Sequence, residues 1–318
     1  MRRYLITAAA ALAAAGLTVG LTLATRTATP HRHTQPGLPP LLLDLGVSID
    51  PEAVALRRAT NLYERGKAHE AGLIFDRYHS VEAEVGSALS VWRESIPVSF
   101  QRIADLAQAR PRSSLVQLEY GLALFWRGDP AATAAWGKAR TAQPDTPYAL
   151  RAEDLLHPNF PRGLPNFVPS FPAAASLGRL SPPKQLAYLE NRGRAGGVRD
   201  RLLYGVALQR LGRQLSALRE FDAAAARAPA DPEPKVAIAV GRFDKADPSL
   251  TFSRLGPLAK RYPRSQSVRF HLGLCLLWLG SVDKAKSELR LARAAGPKTT
   301  LGEEAQRFLE RLSSVGAR

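Results

Sequence analysis

VRDRLLYGVALQRLGRQLSALREFDAAAARAP, residues 198–229, and QSVRFHLGLCLLWLGSVDKAKSELRLARAAGP, residues 266–297, carry one pattern twice, 68 residues apart. Gly205, Leu208, Gly212, Ala217, Phe221, Ala224 and Pro229 in the first correspond to Gly273, Leu276, Gly280, Ala285, Leu289, Ala292 and Pro297 in the second. Pro263 stands midway, so the three prolines are 34 residues apart, and a weaker unit ends on it with Ala239, Thr251, Leu255 and Leu258. A period of this length, with apolar residues three and four apart, predicts a pair of antiparallel helices per repeat. Small residues such as Gly205 and Ala217 let the paired helices approach. Phe221 and Leu289 fill the space between pairs. Gly212 and Gly280 fall in the inter-helix turn, where a left-handed backbone is needed. The proline stops the second helix.

The pattern extends toward the N-terminus. Gly121, Leu124, Gly128, Ala132, Trp136, Ala139 and Pro144 form one unit, one residue short in its turn. Pro111 ends a shorter unit before it, and Gly66, Ala71 and Phe75 mark the first, from about Pro51. The two halves also align. Ser99–Arg102, Pro111–Ser113 and Gly121–Trp126 match Thr251–Arg254, Pro263–Ser265 and Gly273–Trp278 at a constant offset of 152, which becomes 146 upstream, where Gly66 matches Gly212. A six-residue deletion in the second unit accounts for the difference.

With its G-x2-L, A-x3-F and terminal Pro, the repeat resembles the tetratricopeptide repeat. The resemblance covers about 200 of the 318 residues. It implies an all-α fold, an α-solenoid of helix hairpins in two three-repeat modules, 51–145 and 198–299. It also implies that the first helices of successive hairpins line a concave groove. Groove positions by this register are Leu115, Leu118, Leu122, Phe125 and Trp126 in the third unit. In the fourth they are Arg199, Leu202, Val206, Gln209 and Arg210, and in the sixth Ser267, Phe270, Leu274, Leu277 and Trp278. Relatives that clamp a C-terminal carboxylate use Lys and Asn there. Apolar and aromatic residues at these places point to an apolar peptide or helix as ligand, or to side chains that pack on one another.

Residues 146–197 leave the period. Pro147–Leu156 reads as a helix, Ser181 caps another beginning at Pro182, and a proline-rich loop carries Phe160, Phe167 and Phe171. This reads as a degenerate seventh hairpin with an inserted loop whose phenylalanines either brace the repeats or contact a partner. Residues 300–318 supply a capping helix and tail, with Thr300-x-x-Glu303 as a capping box. Its apolar face carries Ala305, Phe308, Leu309 and Leu312.

At the N-terminus, Met1-Arg2-Arg3 precedes Tyr4–Thr25, a run of 22 uncharged residues. At about 1.5 Å per residue it spans roughly 30 Å of hydrocarbon. Thr22-Leu23-Ala24 is a poor cleavage site. A signal anchor over 1–25 is therefore expected in preference to a cleaved signal peptide, with everything after residue 26 extracytoplasmic. Arg2-Arg3 alone makes a weak twin-arginine signal. Residues 26–50 read as a flexible Pro/Thr/His tether.

The chain has 44 Lys+Arg against 28 Asp+Glu, a net charge of +16. The excess either favours an anionic polymer or membrane surface or is the solvated surface of an arginine-rich chain. No compact basic cluster stands out, and nucleic acid is not an expected partner. The single Cys275 excludes an internal disulfide framework and lies in an apolar helix, where an inert thiol is expected. No phosphate loop, zinc motif or nucleophile elbow is present. His69-Glu70 and Asp154 with His157 are isolated pairs. No cofactor and no enzymatic activity are expected, and the favoured reading is a protein–protein interaction scaffold. An enzyme with an unfamiliar site is the remaining alternative.

Overall fold

The structure, a computed structural model, describes residues 37–315. The expected anchor over Tyr4–Thr25 lies outside the described residues. Among those described there are fifteen α-helices and no strand, and no helix is long and apolar enough to cross a membrane. The described chain divides into two compact units, 37–158 and 159–315.

In unit 37–158, α1 (Pro51–Glu64) pairs with α2 (Ala68–Phe75), α3 (Val81–Ser90) with α4 (Ile96–Ala109), and α5 (Ser114–Trp126) with α6 (Ala132–Ala142); α7 (Pro147–Leu156) closes against α5 and α6. The first helices also touch in sequence, α1 to α3, α3 to α5 and α5 to α7, so they form one layer, against which the second helices pack.

Unit 159–315 opens with an extended segment and α8 (Pro182–Ala195), which packs on α9 (Val198–Arg210). Here α9 pairs with α10 (Gln214–Arg227), α11 (Pro232–Gly241) with α12 (Ser249–Arg261), and α13 (Gln266–Trp278) with α14 (Val282–Ala295). The closing helix is α15 (Thr300–Val315), against α13 and α14.

The turns follow from the sequence. Gly66, Gly128, Gly212 and Gly280 all have positive φ, 78°, 70°, 70° and 69°, each between the two helices of a hairpin. Inside the helices, a methyl group on Gly121 would lie 2.5 Å from the Trp136 ring, and one on Gly205 would overlap Phe221. The hairpins repeat in detail. Arg201–Glu220 at 2.7 Å and Arg269–Glu288 at 3.0 Å are one half-buried ion pair, made twice 68 residues apart. Ser114 Oγ donates to the Ala139 carbonyl (2.6 Å), and Gln266 Nε2 at the matching place donates to that of Ala292 (2.9 Å).

Three local expectations are corrected. The six-residue shortfall lies in α2, which has eight residues against fourteen in α10, so it falls in the first hairpin. The cap of α15 is Thr299, whose hydroxyl accepts from Gly302 N at 3.1 Å, one residue before the expected Thr300. Glu304 on that helix is buried and paired with Arg307 at 2.6 Å; burial raises its carboxyl above the ordinary value. Ser181 occupies the N-cap position of α8 without a side-chain capping bond.

Candidate functional site: extended straps on the first-helix layers

The expected groove positions are largely covered. Leu115, Leu118 and Leu122 are buried, as are Leu202, Val206, Gln209, Ser267, Phe270 and Leu274. Leu277, Trp126 and Trp278 are half-buried, and Phe125, Arg199 and Arg210 are exposed. Phe125 stacks edge-on to Trp126 and lies 5.7 Å from Trp136. Trp278 meets Phe243 edge-on at 5.7 Å.

What covers these helices in unit 37–158 is the chain itself. The reading of 26–50 as a tether places this stretch in solvent, whereas residues 38–45 lie along the first-helix layer. Pro39 and Leu41 are buried, and Leu38, Leu42, Leu43 and Leu45 are half-buried in the same core cluster as Leu115, Leu118 and Leu122. Tyr63 on α1 donates its hydroxyl to the Pro39 carbonyl (2.9 Å). Leu42 N donates to Glu119 Oε1 on α5 (2.7 Å). The Tyr148 hydroxyl on α7 accepts from Asp44 N (3.2 Å) and lies 3.1 Å from the Asp44 carbonyl and 3.4 Å from Glu82 Oε1 on α3. The strap thus touches a polar side chain at each end of the layer and at α5. An extended segment cannot satisfy its own main chain, so buried N–H and C=O groups need such partners.

Unit 159–315 has its own strap, from the proline-rich loop. Pro165, Phe167, Val168 and Pro169 are buried. Phe167 N donates to Gln209 Oε1 on α9 (3.0 Å), and Val168 N to His271 Nε2 on α13 (2.9 Å). Ser170 N and Oγ donate to Glu233 on α11 (2.6 and 2.9 Å). Phe167 stacks on His271 at 5.0 Å and meets Phe221 edge-on. Phe160 meets Phe243 at 6.4 Å, the Arg199 guanidinium lies 5.0 Å from the centre of the half-buried Phe171 ring, and Lys245, itself buried, donates to the Pro161 carbonyl (2.9 Å).

Several buried titratable groups meet the straps. Burial pushes the Glu119 carboxyl up to about 8, against the smaller opposing pull of the Leu42 N–H. Burial pushes the His271 imidazole down to about 4, and its Nδ1 lies 2.7 Å from the Ser267 carbonyl. That bond leaves Nε2 as the acceptor for Val168, so the ring is neutral with its proton on Nδ1. Glu233 is raised by burial, partly offset by Ser170. A second oxygen of Glu119 and Nε2 of Gln209 make no hydrogen bond among the described residues. The Cys275 thiol is buried and raised well above its ordinary range, as expected of an unreactive sulfur. His69 Nδ1 lies 3.0 Å from Glu94 Oε1, and His157 Nε2 lies 3.3 Å from Glu153 Oε1.

Sequence reasoning missed Tyr63, Glu119, Tyr148, Glu233 and His271. Glu119 and His271 each stand one residue round the helix from an expected groove position, Leu118 and Phe270. The available signal was a titratable residue set inside an apolar run, SLVQLEYGL and SVRFHLGL, at the same place in both halves.

Hairpins of this repeat length, with glycine turns and a capping helix, define the class: an α-helical repeat protein of tetratricopeptide-like fold. No family model matches the chain, and no curated protein matches it. Among solved structures it is similar to yeast Tom70 at 12% identity and a TM-score of 0.32, covering 82% of this chain and 48% of that one. It is also similar to the C-terminal part of a TPR repeat-containing protein from Cytophaga hutchinsonii, at 14% identity and 0.28, covering 79% and 98%. A third is the APC/C hetero-tetramer Cut9-Hcn1, at 12% and 0.27, covering 82% and 56%. The chain spans about half the length of the first and third of these. The class rests on the chain's own repeat and hairpins.

Proposed function

We propose that this chain is an extracytoplasmic protein–protein interaction scaffold, held at the membrane by the uncharged run Tyr4–Thr25, whose first-helix layers bind extended apolar segments of a partner protein. One observation carries the reading: each unit already holds an extended leucine- or phenylalanine-bearing strap against that layer, largely through main-chain hydrogen bonds. A surface that satisfies the backbone of one extended segment is chemically suited to another.

The test is site-specific photo-crosslinking in intact cells. A crosslinker at Phe125, exposed on α5 of the first-helix layer, should give discrete adducts with another protein. The same group at Leu73, exposed on the second helix α2, should not. No adduct from Phe125, or equal adducts from both, sinks the reading. The location is tested on the same cells, since protease added outside should remove the repeats and leave the N-terminal run in the membrane. Protection of the repeats would refute it.

A further inference from the structure

The two straps are one device built twice. Leu38-Pro39-Pro40-Leu41-Leu42 and Leu164-Pro165-Asn166-Phe167-Val168 are 126 residues apart at every position. Each has a buried proline in second place and a buried Leu or Phe in fourth. Leu42 N meets Glu119 and Val168 N meets His271, and those partners are themselves equivalent, 152 residues apart. Tyr63 and Gln209, 146 apart as the first hairpins are, also hold the straps but at different points, the Pro39 carbonyl and the Phe167 N–H. Glu233, the second residue of α11, meets Ser170 directly, while Glu82, the second residue of α3, lies 3.4 Å from the Tyr148 hydroxyl that meets Asp44.

The side chains that hold the two straps differ, a carboxyl against an imidazole and a phenol against an amide. The register at Leu42 and Val168 and the places of the proline and the buried Leu or Phe do not. What the layer reads is therefore an extended main chain with a proline and two apolar residues at fixed places. Proline pre-extends the segment and lowers the entropy lost on docking. The strap of unit 37–158 is the weaker of the two. Only Pro39 and Leu41 in it are buried, and it is held in part by a buried carboxyl with one oxygen unpaired. The strap of unit 159–315 buries Phe167 and Val168 together and is flanked by the Lys245–Pro161 bond.

Resting on the scaffold reading above, we infer that the first-helix layer of unit 37–158 binds a partner's extended segment of the form Leu-Pro-x-(Leu/Phe)-(Leu/Val), in exchange for its own residues 38–44. The strap is then an intramolecular competitor that sets the affinity for the partner.

The experiment uses the full chain and a labelled synthetic peptide with the sequence of residues 36–47. Leu41→Asp, which disfavours the chain's own strap and leaves the layer intact, should bind the peptide at least about tenfold more tightly than the unaltered chain. A peptide of the same composition in scrambled order should not bind. Equal affinity for Leu41→Asp and the unaltered chain overturns the inference, as does binding of the scrambled peptide. So does a peptide-reversible dimer of the unaltered chain, which would assign the segment to a second copy. If Leu41→Asp loses its helical circular dichroism, hydrogen exchange in the unaltered chain decides. The Leu42 amide should exchange by local opening at least about tenfold faster than the Val116 amide in α5. Exchange of both at one rate would make the strap part of the global fold and overturn exchange with a partner. Partner adducts at Phe125 together with failure of these tests would leave the scaffold reading standing and remove this one.

Discussion

The equivalent strap anchors Glu119 and His271 should answer pH in opposite directions. The Glu119 carboxyl is raised from 4.5 to about 8 on folding, so between those values the folded chain holds a proton that the unfolded chain has lost. Its contribution is full below 4.5 and is lost as pH rises through about 8. The His271 imidazole is lowered from 6.5 to about 4, so its contribution is full above 6.5 and is lost as pH falls toward about 4. Protonating Nε2 would also set two donors, His271 and Val168 N, against each other. At about 1.4 kcal/mol per pH unit, the Glu119 window spans on the order of 5 kcal/mol and the His271 window on the order of 3–4 kcal/mol. The Glu119 carboxyl lies near Tyr63, whose phenol stays neutral well above its usual range, and burial is its main perturbation. Hydrogen exchange at single amides reads both sites, after correction for the intrinsic rate. Protection of Leu42 should fall more than about tenfold from pH 6 to 9, and that of Val168 from pH 7 to 5. Glu119→Gln should flatten the first profile and His271→Gln the second, since each keeps an oxygen acceptor. Protection of Leu42 that is constant or rises toward pH 9 would refute the reasoning. So would two amides that move together.

Other outcomes follow from packing. Gly121→Ala places a methyl group 2.5 Å from Trp136 and should cost about 1–3 kcal/mol, read as a lower urea midpoint at unchanged slope. Phe167→Ala removes a ring that is 1% exposed and should cost about 3–5 kcal/mol, with Val168 losing its exchange protection as well. Trp278→Ala, half-buried against Phe243, should lower the melting temperature by the equivalent of roughly 2–4 kcal/mol. A Trp278 variant that melts with the unaltered chain would show that the ring does not brace its hairpin.

The hairpins are legible in the sequence because each rests on residues with a single structural use. Gly66, Gly128, Gly212 and Gly280 are needed where the backbone turns left-handed, and Gly121 and Gly205 where an aromatic ring leaves no room for a methyl. The apolar face of α15 is legible for the same reason, with Ala305 buried and Phe308, Leu309 and Leu312 packed on one cluster. The exact cap is not, since Thr299 and Thr300 are adjacent and either hydroxyl suits the chemistry.

The straps escape periodic reading because an extended segment has no helical period, and because prolines and leucines outside a repeat fit a linker as well as a docked strand. Leu-Pro-Pro-Leu-Leu becomes informative only beside Leu-Pro-Asn-Phe-Val at a constant 126 residues. That offset differs from the 146 of the first hairpins and the 152 of the later ones, because the second strap is followed by α8, which precedes the hairpins of its unit. The duplication therefore includes more than the helices. It includes the segment laid across them and the helix residues that meet its main chain. Since those residues differ between the halves while the register at Leu42 and Val168 is kept, the geometry of the layer, rather than any one side chain, holds each strap extended. The choice of carboxyl or imidazole then sets the pH at which each strap is held.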